Sequence, residues 1–410
     1  MARSLDVLMI GWEYPPHNSG GLGVACEGLT KALVGNDTHI LFTLPYKHGM
    51  PINHMRVLTC LSGGGFKITD PNQAPFSAYT HMATNTNGTP LAFDPKNLRK
   101  MPLQEMEYRV EQYAKSVLTA VDNATNAPDV IHAHDWMTYP AANLLKKKIK
   151  KPIVAHIHST EFDRVPHGEG NGYIAHQEYL GLQSADRVIA VSELTKQVLI
   201  QKYQIDPDKI DVVHNGISEA PRIESLKFAE DRPVIVFMGR LTMQKGTEYF
   251  LKLARNVLSQ VPEALFIVAG HGDQYHMLLL ENAKSQLSSS VLFAGFLRDQ
   301  QKDFLLDRAD VFVMPSISEP FGLVALEAVQ RNTPVIISQT SGVKEVLPGA
   351  LVVDFWDIEL MTKHILKLIQ DKEYYDQVLN RQLQDIAHVT WEKSAEKVKA
   401  VYRRILNSKK

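Results

Sequence analysis

The sequence predicts an α/β protein made of two doubly wound halves that face each other across a cleft. Three observations lead to this fold class. Short apolar, β-branched runs alternate with longer amphipathic segments, which is typical of parallel strands joined by helices. The alternation occurs twice along the 410 residues, with a polar break between the two series. A chain of this length is also long enough for two or three domains.

The first half is predicted from five buried strand patterns and three helical patterns. The strands are expected at residues 7–10, 40–44, 130–133, 153–157 and 188–191, and the helices at 22–33, 106–121 and 194–203. Residues 61–102 are rich in Gly, Pro, Asn and Thr and are predicted to form a long insertion of unassigned role. The basic run at residues 146–151 is predicted to be a solvated helix end, with weak contact to an anionic surface or glucan as the alternative.

The second half repeats the pattern after the polar break. Strands are expected at residues 234–238, 265–269, 291–294, 311–314 and 335–337, and helices at 247–258, 323–330, 358–369 and 391–406. The predicted organisation is therefore a first domain at 1–215, a linker at 216–231, a second domain at 232–387 and a final helix at 388–410. Ligands of open α/β sheets bind at the carboxyl ends of the strands, so the cleft is the expected site.

Composition narrows the function classes. The formal net charge is −1, which gives no overall electrostatic basis for binding nucleic acid. Cys26 and Cys60 are too few for a disulfide framework. The first apolar run is too short for a secretory signal or a membrane span, so we expect a cytoplasmic enzyme without integral membrane contact.

A glycine-containing loop follows the first strand of each half. Gly20, Gly21 and Gly23 precede a helix, where glycines permit close backbone approach and the helix N-terminus offers N–H groups to an anion. Arg240 and Lys245 lie in the corresponding loop of the second half. An Arg fork and a Lys point charge beside glycines suit a diphosphate, although solvent-facing charges are the alternative.

A third motif pairs two carboxylates eight positions apart. Glu319 lies in a loop, and Glu327 lies a little over two turns into the helix that follows. The proline and glycine between them shape a helix start, so the amides near Phe321, Gly322 and Leu323 are expected to point outward. Two carboxylates so placed can serve different parts of one extended ligand. The alternative is a capping residue plus a surface residue.

Four histidines lie at strand ends in the first half, namely His132, His134, His156 and His158. Four histidines at this spacing suit a metal ion. We expect the two members of each pair to point to opposite faces of their strand, which favours buried, hydrogen-bonding histidines at the cleft and no metal site.

Together these motifs resemble family 4 glycosyltransferases of the GT-B fold, particularly the bacterial and archaeal glycogen synthases. The resemblance covers nearly the whole chain. It is densest at residues 12–23, 132–136, 158–164, 186–192, 213–217, 239–246 and 319–328. It implies two Rossmann-like domains and a C-terminal helix that crosses back to the first domain.

The resemblance also implies roles for individual residues. Arg240 and Lys245 hold the donor diphosphate and stabilise the charge that builds on it during bond cleavage. Glu319 contacts the transferred sugar, Glu327 binds the nucleotide ribose, and His134 binds a sugar hydroxyl at the reacting carbon. Retention of configuration is implied, with a nucleotide-sugar as substrate and with neither a metal ion nor another cofactor.

The remaining implied contacts belong to the donor. Gly20, Gly21 and Gly23 let the first domain close over the phosphates, while Phe321, Gly322 and Leu323 supply the helix start. The backbone near Phe296 and Leu297 meets the base.

The donor base and the acceptor stay open at this stage. Bacterial ADP-glucose-using glycogen synthases carry Lys where this chain has Asn18 and an acidic residue where it has Val24. The leading hypothesis is glucosyl transfer from UDP- or ADP-glucose to an α-glucan. The alternatives are a sugar phosphate or surface polysaccharide acceptor, a sugar-nucleotide epimerase, and a non-catalytic nucleotide-sugar or glucan-binding module. The oligomeric state is also open.

Overall fold

The computed structural model describes residues 4–18, 20–35, 37–49, 51–60, 103–122, 127–166, 168, 170–219 and 232–408. The predicted insertion at 61–102 lies outside the described residues, as do residues 220–231 of the predicted linker. The first sheet ends at Val212 and the second begins at Val234, so the predicted linker lies between them. The domain boundaries themselves stay a prediction.

Seven parallel strands form the first sheet in the order β3-β2-β1-β4-β5-β6-β7. They are β1 (Leu5–Ile10), β2 (Thr38–Leu44), β3 (Arg56–Thr59), β4 (Val130–His134), β5 (Ile153–Ile157), β6 (Arg187–Ala190) and β7 (Ile210–Val212). Every residue of β4 and β5 is buried, which explains why these strands are mainly apolar apart from His132, His134 and His156.

Six parallel strands form the second sheet in the order β10-β9-β8-β11-β12-β13. They are β8 (Val234–Met238), β9 (Leu265–Ala269), β10 (Val291–Gly295), β11 (Val311–Met314), β12 (Val335–Ser338) and β13 (Leu351–Val353). The predicted two-sheet α/β fold is confirmed. The sequence patterns missed β3, β7 and β13, which have only three or four residues each.

Helices connect the strands and cover both faces of each sheet. They are α1 (Gly21–Val34), α2 (Leu103–Asp122), α3 (Tyr139–Ile149), α4 (Glu161–Arg164), α5 (Gly172–Ser184), α6 (Glu193–Tyr203), α7 (Thr247–Leu258), α8 (Tyr275–Lys284), α9 (Asp299–Arg308), α10 (Leu323–Gln330), α11 (Ile358–Gln370), α12 (Lys372–Ile386) and α13 (Trp391–Asn407). The basic run at 146–151 covers the end of α3 and its C-cap Lys150, as the prediction of a helix end requires. Within the described ranges, no helix is both long enough and apolar enough to cross a membrane.

The strand order creates a switch point in each sheet. In the first sheet β1 lies between β2 and β4, so the chain leaves β1 and β4 in opposite directions. In the second sheet β8 lies between β9 and β11 in the same way. Crevices outside the carboxyl ends of such strands are where open α/β sheets bind ligands. The loops after β1, β4, β8 and β11 therefore border the expected ligand crevices.

The C-terminal helix α13 returns to the first half, as the fold class predicted. The Trp391 indole packs so closely on α1 that a Cβ added at Gly28 would lie 2.1 Å from its ring. Tyr402 is buried in the same cluster, and Ser394 donates to the carbonyl of His214 at 2.7 Å. The amide of Ile217 donates to the carbonyl of Val389 at 3.3 Å, so the two chain crossings between the halves run side by side.

Candidate active site

The loop after β1 carries the predicted glycines to the cleft. Gly20 caps α1 and Gly21 begins it. A Cβ at Gly23 would lie 2.5 Å from Cβ of Asn18, so this helical turn has no room for a side chain. A Cβ at Gly20 would lie 3.7 Å from Nε of Arg240. Gly20 and Arg240 therefore meet across the cleft, and they belong to different sheets.

The loop after β8 is tightened by a glycine. Gly246 has a φ of 65°, and a Cβ there would lie 1.9 Å from the carbonyl oxygen of Pro315, so only glycine fits. The amide of Ile317 donates to the carbonyl of Gln244 at 2.9 Å. These contacts hold the loop after β8 against the loop after β11. As a result Lys245, which closes a short 3-10 turn, points at Glu319 of the two-carboxylate motif.

Lys245 and Glu319 form an ion pair that the sequence did not anticipate. The Lys245 Nζ lies 2.5 Å from a carboxylate oxygen of Glu319, and Ser316 Oγ donates to the same oxygen at 3.3 Å. Glu319 is only 6% exposed. Its backbone is fixed as well, because its amide donates to the carbonyl of Thr340 at 3.0 Å. The carboxylate thus orients the ammonium group at the strand ends.

The N-terminus of α10 lies beside this pair. Gly322, which precedes the helix, has a φ of 114° in the left-handed region. The buried Phe321 accepts a hydrogen bond at its carbonyl from the amide of Val343 at 2.8 Å. A Cβ at Gly21 would lie 3.9 Å from the Leu323 side chain, so the N-termini of α1 and α10 face each other. Both helix ends favour an anion between them.

Glu327 on α10 pairs with a lysine on the neighbouring helix α9. Its carboxylate lies 2.6 Å from Nζ of Lys302 on α9, and both side chains are about one quarter exposed or less. The role of Lys302 was not predicted from the sequence, because 25 residues separate it from Glu327. A lysine in the first turns of a helix gives no signal until the neighbouring helix is placed. The ribose contact of Glu327 stays a prediction.

The four histidines form one cluster, which corrects the expectation that each pair splits between two faces. The His132 and His134 rings stack at 4.4 Å, and the His156 and His158 rings stack at 4.2 Å. Successive strand residues alternate between faces, so positions two apart share a face. The expectation applied the one-residue rule to a two-residue spacing.

Hydrogen bonds join the histidines in two separate pairs, one of which also includes Tyr402. His132 Nδ1 lies 2.5 Å from the hydroxyl of Tyr402 on α13, and His132 Nε2 lies 3.2 Å from His156 Nδ1. His134 Nδ1 lies 3.1 Å from His158 Nε2. The Nε2 atoms of His134 and His156 are buried and have no hydrogen-bond partner among the described residues. His134, which is fully buried, therefore retains one ring nitrogen that none of the described residues satisfies.

Burial keeps this cluster uncharged. Desolvation lowers the pKa of His132 and of His158 to about 3, and it lowers the pKa of His134 and of His156 well below the ordinary range. Mutual repulsion among the rings adds to the effect for three of them. The first-half wall of the cleft thus offers neutral imidazoles near neutral pH.

Three of these histidines lie close enough together to be considered as metal ligands. Nitrogen atoms of His132, His134 and His156 all lie within 4.8 Å of one another, which satisfies distance alone. The rings are nearly parallel, however, with interplanar angles of 20° for His132 on His134 and 18° for His132 on His156. Imidazole nitrogens coordinate in the plane of the ring, so stacked rings do not converge on one ion. The arrangement fits a hydrogen-bonded stack better than a metal site.

The loops after β4 and β5 complete the first wall. Asp135 has a φ of 60° and accepts a hydrogen bond from the amide of His158 at 2.7 Å. Burial raises the pKa of Asp135 to about 7, while the His158 amide lowers it. Asp163, in the capping box of α4, accepts a hydrogen bond from the Ser318 hydroxyl at 2.8 Å. This pair joins the two halves beside Glu319, and its 155-residue separation hid it from motif reading.

Phe296 and Leu297 follow β10 at the outer edge of the second sheet. The Phe296 ring is 46% exposed. Leu297 lines an apolar groove between β10 and α9. Both residues lie in the loop that follows a strand at its carboxyl end, as their predicted base contact requires, and that contact stays a prediction.

Comparisons with known proteins agree with this architecture. Residues 219–385 match the family model described as glycosyl transferases group 1, and residues 82–220 match the model described as glycosyltransferase family 4. Solved structures extend the likeness to the fold. The sucrose-phosphate synthase of Thermosynechococcus elongatus superposes with a TM-score of 0.75 at 17% identity, covering 98% of this chain and 100% of the other. Anabaena HepE in complex with UDP-glucose superposes with a TM-score of 0.68 at 16% identity, covering 98% and 100%.

Three relatives are similar over most of their lengths. An uncharacterized glycosyltransferase of Methanocaldococcus jannaschii is 29% identical over 97% of this chain and 98% of its own. The glycogen synthase of Mycobacterium tuberculosis is 28% identical over 83% and 80%. The α-maltose-1-phosphate synthase of Mycolicibacterium smegmatis is 31% identical over 70% and 82%. The chain therefore belongs to the family 4 glycosyltransferases of the GT-B fold.

Proposed function

We propose that this protein is a retaining glycosyltransferase that moves a glucosyl unit from UDP- or ADP-glucose to an α-glucan in the cytoplasm. One observation carries the proposal. The Lys245–Glu319 ion pair and the N-terminus of α10 lie at the switch point of the second sheet, and Gly20 and Gly21 approach Arg240 and α10 from the first. The space between them suits a diphosphate flanked by a sugar.

The donor diphosphate is assigned to the second half. Arg240 and Lys245 neutralise its charge, and the α10 N-terminus adds its dipole. As the bond between the sugar C1 and the diphosphate oxygen breaks, negative charge builds on that oxygen, and the two cations stabilise it. Two cations and a helix end supply the charge stabilisation that a metal ion gives elsewhere, so the proposal includes no cofactor.

The transferred sugar is assigned to the cleft between the walls. Glu319 fixes Lys245 and contacts the sugar, while His134 Nε2 binds a sugar hydroxyl as a neutral imidazole. The acceptor hydroxyl attacks C1 from the face that the diphosphate leaves, which retains the configuration. Its proton passes to the departing diphosphate oxygen. Glu327 binds the ribose, and the backbone near Phe296 and Leu297 meets the base.

Nucleotide release tests the reaction. Purified protein is incubated with UDP-glucose or ADP-glucose, with and without glycogen, and free UDP or ADP is measured. Glycogen-dependent release is the expected result, with an α-linked product by NMR. Absence of release with both donors would overturn the glucosyl assignment. Calorimetric binding of UDP-glucose without any turnover would instead support a binding module.

A second acceptor class has its own support. The 31% identical relative from Mycolicibacterium smegmatis is an α-maltose-1-phosphate synthase, whereas the 28% identical relative from Mycobacterium tuberculosis is a glycogen synthase. A parallel assay with glucose-1-phosphate in place of glycogen separates the two. Faster nucleotide release with glucose-1-phosphate would replace the α-glucan with a sugar phosphate while keeping the donor chemistry.

A further inference from the structure

Arg298 joins the two halves at a point outside the predicted catalytic set. Its Nη1 donates to the carbonyl of Pro16 at 2.7 Å and to Oδ1 of Asn18 at 3.2 Å, and its Nη2 donates to the carbonyl of Asn18 at 3.1 Å. Arg298 precedes α9 in the second half, whereas Pro16 and Asn18 belong to the loop after β1 in the first. One guanidinium therefore grips the loop that leads to Gly20.

Further contacts hold the side chains on both sides of this interaction in place. On one side the guanidinium lies 4.6 Å above the ring of Phe296, which fixes its plane. On the other side Asn18 is only 8% exposed, and its side-chain amide donates to the carbonyl of Gly20 at 3.1 Å. Arg298 thus links the segment assigned to the base, through Asn18, to the glycine loop assigned to the diphosphate.

A second set of contacts between the halves lies near the linker, at Glu345. There the carboxylate of Glu345 accepts hydrogen bonds from the amides of Glu193 at 2.8 Å and Leu194 at 3.0 Å, and from His214 at 2.7 Å. His214 lies three residues before the first chain crossing at Ile217. The Glu345 contacts therefore lie beside the crossing, whereas the Arg298 contacts join strand-end loops of the two sheets, and opening of the cleft between those loops would break them.

We propose that Arg298 is a positioning residue that fastens the glycine loop over the nucleotide and thereby sets donor affinity. The donor occupies the space between the loops that Arg298 joins, so donor binding and the Arg298 contacts support each other. The planar fork is required, because two separate nitrogens of Arg298 donate to Pro16 and Asn18, whereas all donors of a lysine belong to one nitrogen. The inference rests on the proposed function for the identity of the ligand, and on the contacts alone for the fastening.

The first test reads closure without catalysis. Small-angle scattering of the wild type, Arg298→Ala and Arg298→Lys is recorded with and without saturating UDP or ADP. The wild type is expected to be the most compact, and both variants to be more open without nucleotide. Arg255→Ala, which changes an exposed arginine on α7, is the matched control and is expected to scatter like the wild type. Equal compactness of all four proteins would overturn the fastening.

The second test reads donor affinity. Calorimetric titration with UDP and ADP is expected to show nucleotide binding roughly 10- to 100-fold weaker in Arg298→Ala, which corresponds to the loss of charge-assisted hydrogen bonds. In the nucleotide-release assay KM for the donor rises while kcat changes less. Full recovery by Arg298→Lys would overturn the role of the fork. Failure of the proposed function is distinguishable, because then neither the wild type nor the variants bind nucleotide, while the scattering comparison still tests the fastening.

Discussion

The two walls of the cleft handle charge in opposite ways. The first-half wall presents four stacked histidines that burial keeps neutral. The second-half wall presents ion pairs, Lys245 with Glu319 and Lys302 with Glu327, at the ends of its strands and helices. Neutral rings suit hydroxyl groups, while oriented cations suit phosphate oxygens. The difference indicates a ligand that is uncharged at one end and anionic at the other.

The largest expected effect concerns the pH dependence of the neutral wall. In the unfolded chain each of the four histidines has a pKa near the ordinary value of about 6.5, whereas in the folded protein the pKa of His132 and of His158 is about 3. Their stabilising contribution is complete above pH 6.5 and is lost as the pH falls toward the folded-state pKa values. Between pH 8 and pH 5.5, His132 and His158 should each lower the free energy of unfolding by about 1.4 kcal/mol, or about 3 kcal/mol together, whereas the buried Asp135 and Glu178, whose pKa values are raised to about 7, should increase it over the same range.

Urea unfolding at several pH values measures this dependence. His158→Gln should make it shallower by the contribution of one histidine. His388→Gln, which changes an exposed histidine after α12, is the control and should keep the wild-type slope. A His158→Gln variant with the same pH dependence as the wild type would contradict the neutral wall.

The next effect removes a cation from the charged wall. Lys245→Ala should lower kcat for nucleotide release by about 2 to 4 kcal/mol of transition-state stabilisation, because the leaving diphosphate loses a cation and Glu319 loses its partner. Lys252→Ala, on the exposed side of α7 above the Tyr249 ring, is the matched control and should keep its rate. An unchanged rate in Lys245→Ala would remove this residue from the mechanism.

A smaller effect tests the support of the neutral wall by α13. Tyr402→Phe removes the hydroxyl that bonds His132 Nδ1 and leaves a buried nitrogen unsatisfied. We expect a loss of about 1 to 3 kcal/mol in the free energy of unfolding, with an unchanged denaturant slope. Tyr179→Phe, at a tyrosine that is 41% exposed, provides the comparison and should change stability little. Equal stability of the two variants would show that the contact contributes nothing.

The smallest effect concerns the second ion pair. Glu327→Gln keeps the shape of the side chain but turns the charge-assisted hydrogen bond that we propose to the ribose into a neutral one. KM for the donor should rise roughly fivefold, which corresponds to about 1 kcal/mol of binding free energy, while kcat changes little. Glu359→Gln, at an exposed position of α11, controls for loss of charge. A fall in kcat with unchanged KM would reassign Glu327 from ribose binding to the chemical step.

Most of the fold was predictable because strands buried on both faces read as apolar runs. The predicted bounds of β5, β8, β9, β11 and α7 match the structure residue for residue. The short strands β3, β7 and β13 were not predicted, since they lie at sheet edges with mostly part-exposed residues and so lack a buried apolar run. The strand period of two places His132 and His134 on the same face. The prediction that they point to opposite faces was wrong because it misapplied this period.

The sequence by itself determined the two-sheet architecture, the family resemblance and the residue types at the strand ends, because these depend on local periodicity and on motifs of fewer than a dozen residues. Tertiary structure alone decided which of those residues meet. The pairing of Lys245 with Glu319, of Lys302 with Glu327, of Tyr402 with His132 and of Arg298 with Asn18 joins positions between 25 and 280 residues apart. Contacts at such separations leave no local pattern, since they exist only once parallel strands bring distant loops to one edge of each sheet.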